Sequence, residues 1–102
     1  MTAKLIFPKS GPLRSEKLRR LVASLTCVSC GLEGSTQAAH ANYTKGIGIK
    51  ASDARIMALC VECHRNLDQG GNMTKEARRA YEFEMMALTY IHLMEAGKLE
   101  VV

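Results

Sequence analysis

The chain has 102 residues, a formal net charge of +4, 47% hydrophobic residues and only five aromatics, none of them tryptophan. That length suits one domain with a thin core, in which a structural metal or a subunit partner would be welcome. No run approaches the ~20 apolar residues that cross a bilayer, so a membrane protein of helical spans is excluded.

The first apolar run, Leu5-Ile6-Phe7, stops at Pro8. It is too short for a secretory signal, so a cytoplasmic setting with reduced thiols is expected. Residues 1–13 read as a basic, extended leader and residues 14–102 as one domain. Within the first twenty positions Lys4, Lys9, Arg14, Lys17, Arg19 and Arg20 face a single acid, Glu16. Such an arm neutralises phosphates, or merely keeps the chain soluble.

Residues 14–25 carry apolar side chains at Leu18, Leu21, Val22 and Leu25, the spacing of a short amphipathic helix with Ser15 as N-cap. A tight turn follows at Cys27–Ser35, with Gly31 and Gly34. The spacing then predicts a strand over 36–43, a glycine-bearing loop over 44–53 and a second strand over 54–60. A helix is expected from Val61 to the glycines at 70–71. The last element is a long helix over 74–97, with Thr74 as N-cap and Gly97 as stop. Ala77, Ala80, Tyr81, Leu88, Ile91 and Met94 should form its apolar face, flanked by Phe83, Met85 and Ala87. That face is wide enough to suggest a homodimer. His92, on the same helix, has no partner motif and reads as structural or exposed.

Two Cys-x-x-Cys pairs, Cys27/Cys30 and Cys60/Cys63, stand apart from this pattern. Two knuckles brought together make a tetrahedral four-sulfur site suited to zinc. A redox dithiol would need a thioredoxin-like strand and helix around one pair, and neither pair has it. The Cys-x-x-Cys-His core at 60–64 also matches a haem attachment site, but nothing here directs the export that covalent haem attachment normally follows.

His64 follows the second pair and Asp68 lies four residues on, so a helix puts both on one face, able to converge on a hard divalent cation. His40 ends the first strand. Strand, loop, strand and metal helix in this order suit phosphodiester hydrolysis, with an imidazole deprotonating water. The plainer alternative leaves His40 hydrogen-bonded in the loop and His64 buttressing the cysteine site.

The run from "AAHANYTKGIGIKASD" into "LCVECHRNLDQGG" resembles the HNH, or ββα-metal, nucleases with a zinc-knuckle frame, and more narrowly the small prophage-encoded YbcO-like nucleases. The resemblance covers about Cys27 to the last helix. It implies an α+β fold, treble-clef-like, with a short ββα unit, a zinc knuckle pair and a long C-terminal helix. It implies a metal-dependent endonuclease acting on DNA, with His40 as general base, His64 as metal-binding histidine and Cys27, Cys30, Cys60 and Cys63 on zinc. The catalytic cation would be Mg2+ or Mn2+, and the setting phage or prophage DNA processing.

Two positions depart from that family pattern: Ala39 stands where many members place a second metal ligand, and Arg55 near the expected asparagine. Asp53 is assigned to bracing the loop or reaching the metal, and Asp68 to supplying the ligand that Ala39 lacks. Lys45, Lys50, Arg55 and Arg65 flank the proposed site as candidate phosphate contacts. The competing reading is a non-catalytic zinc-knuckle module that binds DNA or a protein.

Overall fold

A computed structural model describes residues 13–41, 52–69 and 73–100. The elements, in order, are α1 (Glu16–Ala23), β1 (Thr36–His40), β2 (Ile56–Cys60), α2 (Val61–Gln69) and α3 (Lys75–Glu95). Each falls within or close to a span expected from the sequence. The strands are shorter than expected: β1 stops at His40, and β2 begins at Ile56. Residues 53–55 form a turn instead, in which the Arg55 amide donates to the Ser52 carbonyl at 3.0 Å. The proposed loop lies outside the described residues except for its last two positions, as does most of the basic leader.

The starts of α1 and α3 are built as their sequences imply. The Ser15 hydroxyl accepts from the Leu18 amide at 3.1 Å, and Thr74 caps α3 by accepting from Ala77 at 3.1 Å. At the other end of α3, Gly97 has φ of +71°, a conformation a side chain resists. Its amide reaches the Met94 carbonyl, and that of Lys98 reaches Leu93, a Schellman closure.

β1 and β2 form one antiparallel ladder, from Thr36 opposite Cys60 to His40 opposite Ile56. Every residue of β2 is buried, because both faces of this narrow sheet are covered. Alternation sends Ala38, Ile56 and Ala58 to one face, where they pack with Val22 of α1 and Leu93 of α3. It sends Ala39, Met57 and Leu59 to the other, against Leu67 of α2 and Met85 and Met86 of α3. The outer edge of β2 is closed as well. The Ala58 amide donates to Thr89 Oγ1 at 2.9 Å, and its carbonyl accepts from the Val28 amide at 2.9 Å. Capping both groups leaves no bare strand edge there.

The face of α3 differs from expectation. Glu82, Met85, Met86, Thr89 and Leu93 are buried, whereas Ala77, Ala80, Ile91 and Met94 are exposed; of the expected face only Tyr81 and Leu88 are partly buried. Met85, expected at the flank, is core, and Phe83 is 52% exposed. The inward stripe carries a glutamate and a threonine, so a search for apolar positions passes it over. Thr89 is inside because β2 needs an acceptor: its hydroxyl takes the Ala58 amide and gives its own proton to the Met85 carbonyl at 2.7 Å.

Candidate functional site

The two ends of the β ladder hold different chemistry. At the Cys60 end the four cysteines meet. Cys27 lies before the turn through Gly31, whose amide returns to the Cys27 carbonyl at 2.8 Å; Cys60 closes β2 and Cys63 lies in the first turn of α2. In each knuckle the second cysteine's amide donates to the first one's sulfur, at 3.5 Å for Cys30 to Cys27 and 3.4 Å for Cys63 to Cys60.

All four sulfurs lie within 4.8 Å of one another. Zn–S bonds of ~2.3 Å set tetrahedral edges of about 3.8 Å, and Cys30 Sγ lies 3.7 Å from Cys60 Sγ. Electrostatics asks for a cation here. Burial alone would push the Cys27 thiol up, but backbone amides at Cys60, Cys30 and Ser29 hold it down at about 6. Burial, and then the neighbouring sulfurs, push Cys63 up to about 12. One thiolate therefore forms readily, and Cys30 and Cys63 are harder to ionise unless a positive ion is shared. The four thiols are a site able to hold a metal ion such as zinc. Tyr81 of α3 covers it, donating its hydroxyl to Ser29 Oγ at 2.7 Å.

At the opposite end, His40 and Asp53 form a pair. His40 Nε2 lies 2.8 Å from Asp53 Oδ1, and Asp53 is only 1% exposed. The other carboxylate oxygen accepts from the Ser15 amide at 2.7 Å and from the Arg19 guanidinium, while Arg14 Nη1 lies 3.5 Å from Oδ1. Burial would raise this carboxyl, yet the Ser15 amide, His40 and Arg19 outweigh it and hold the value at about 2. Asp53 is thus an ionised carboxylate enclosed by donors. Both of its oxygens are engaged by donors of its own chain. Beside it, the Ala41 amide donates to the Arg55 carbonyl at 3.0 Å.

His64 and Asp68 come together as their spacing implies, with Nε2 3.3 Å from Asp68 Oδ2. His64 Nδ1 is 2.8 Å from Gln37 Oε1. Gln37 and His40 are three residues apart on β1, so their side chains leave opposite faces of the sheet. His40 faces the α1 side and His64 the α2 side. Among the described residues, the four cysteines are the one group of three or more metal-ligating side chains gathered together. Arg55 and Arg65 are both exposed, Arg65 with Nη1 3.5 Å from Glu62; Lys45 and Lys50 lie outside the described residues.

The sequence reads Arg14 and Arg19 as part of a basic arm, for phosphate or for solubility, and does not show that they enclose Asp53. No local signal could have shown it, since 34 positions separate Arg19 from Asp53. Gln37 was missed too.

Fold and site together define a small α+β protein with a four-cysteine cluster able to hold a metal ion and a strand–strand–helix unit that carries two histidines. No family model matches the chain, and neither does any curated protein or solved structure. Among the described residues no helix is long and apolar enough to cross a membrane.

Proposed function

We propose that this protein is a metal-dependent endonuclease of the HNH kind that hydrolyses DNA phosphodiester bonds, with zinc on Cys27, Cys30, Cys60 and Cys63. The observation that carries this reading is the His40–Asp53 pair at the end of β1, in a unit where strand, strand and metal helix follow in order. His40 takes a proton from a water as its oxygen attacks phosphorus, the P–O bond on the far side breaks, and the departing oxygen picks up a proton. His64 and Asp68 are the residues that would hold Mg2+ or Mn2+. When bound, that cation would stabilise charge on the phosphoryl and leaving oxygens. Exposed Arg55 and Arg65, with Lys45 and Lys50, hold the DNA backbone. DNA is the partner this reading requires. The biological setting it implies is phage or prophage DNA processing in the cytoplasm. A second copy of the chain on the exposed side of α3 is compatible with it.

A specific observation favours the second reading, a non-catalytic zinc-framed module that binds DNA or a protein. His40 and His64 leave opposite faces of the sheet and pair with different side chains. One experiment separates the two: cleavage of plasmid and single-stranded DNA with added Mg2+ or Mn2+, comparing wild type with His40→Ala at equal zinc content. Metal-dependent nicking that vanishes in the variant, with binding retained, is the result expected of the nuclease. Folded, zinc-loaded wild type that binds DNA without cutting it is the result expected of the module.

A further inference from the structure

Asp53 does more than close a loop. Its carboxylate is the meeting point of two separated parts of the chain: the start of α1 through Arg14, Ser15 and Arg19, and the end of β1 through His40. Oδ2 is taken by the Ser15 amide and Arg19, so the carboxylate cannot swing, and Oδ1 stays aimed at the imidazole. An ionised carboxylate only accepts. The ring nitrogen facing it, Nε2, must therefore carry the proton, and the lone pair of the neutral ring is left on Nδ1.

We propose that Asp53 is a positioning residue for His40, fixing the imidazole as its Nε2–H tautomer so that Nδ1 is the basic nitrogen, with Arg14, Arg19 and the Ser15 amide holding Asp53 in place. The consequence for cleavage rests on the nuclease reading above, but the tautomer itself does not. A merely structural Asp53 would tie α1 to the loop base and leave the ring free to hold its proton on either nitrogen.

The test begins with the wild-type, metal-loaded protein. Long-range proton–nitrogen NMR of the neutral His40 imidazole should show Nε2 protonated and Nδ1 bare. A predominant Nδ1–H form, or a mixture, overturns the proposal without any assay of activity. Asp53→Asn should then lose the single tautomer while zinc content stays the same, and a folded variant that keeps the pure Nε2–H form also overturns it. If that variant does not fold, the wild-type spectrum alone decides. Where DNA cleavage is present, Asp53→Asn should lower kcat roughly 10²-fold with KM unchanged; wild-type kcat in a folded variant refutes the role. Absence of cleavage in wild type counts against the nuclease reading and leaves the tautomer result standing.

Discussion

The two ends of the β ladder are four residue steps, roughly 13 Å, apart, and they are held by opposite means. At the Cys60 end four like side chains converge, and burial with the neighbouring sulfurs makes Cys63 hard to ionise without a nearby cation. At the His40 end one buried carboxylate is surrounded by donors the chain already supplies: two guanidinium groups, an amide and an imidazole. The first end is able to take a metal ion from outside. The second is complete by itself, and the charge it encloses is satisfied on both oxygens. A short chain with a thin core thus has two clusters on one two-stranded sheet, one able to take a metal ion and the other built on a buried carboxylate.

The largest expected effect tests the first cluster. Stripping the metal with a chelator, or making Cys60→Ser, should abolish cooperative thermal unfolding followed by far-UV circular dichroism. Structural zinc sites contribute an apparent ~10–16 kcal/mol, as much as the whole stability of a typical small domain. A stripped protein that melts at the same temperature would mean the four cysteines are not a staple.

Asp53→Asn tests the second cluster and should cost less, about 2 kcal/mol in a urea titration at neutral pH, with metal content unchanged. Asparagine keeps the size and one acceptor, and the two arginines it leaves are 43% and 38% exposed, so water takes over part of their solvation. A loss equal to that of metal removal would mean that the two ends fold as one inseparable unit.

A smaller effect follows from acid. The Asp53 carboxyl is held at about 2 against an ordinary 3.8, so it binds fewer protons folded than unfolded near pH 3. Its contribution is fully present above the ordinary value and is lost as pH falls towards 2. The gap in stability between wild type and Asp53→Asn should accordingly narrow between about pH 4 and pH 2; a gap that stays constant across that window would remove the carboxylate's charge from the account. Smallest of all, Glu16→Ala removes an exposed i,i+4 partner of Arg20. It should change stability by no more than about 0.5 kcal/mol in the same titration. This variant marks the level below which neither cluster is being touched.

How much was legible depended on how far apart the partners lie. The cysteine site could be read directly, since two identical spacings announce two knuckles. The ends of α3 were legible because Thr74 and Gly97 act within one turn of themselves. Its inward face was not. The stripe through Glu82 and Thr89 is buried to satisfy an amide on β2, 31 positions from Thr89, and that demand leaves no mark on the local pattern. His64 and Asp68 were paired correctly from their helical spacing. The set of His40, His64, Asp53 and Asp68 was not gathered into one cluster, because strand alternation separates the two histidines across the sheet.

By itself, then, the sequence determined the element types, the helix caps, the cysteine pairs and the i,i+4 pair on α2, all of which follow from dihedral preference and spacing over a few residues. Only the tertiary structure decided that Asp53 is a buried anion, that Arg14 and Arg19 face it, and that His40 turns Nε2 towards it. Those choices arise when a buried charge collects whatever donors the packed chain brings near, and burial is a property of the whole fold.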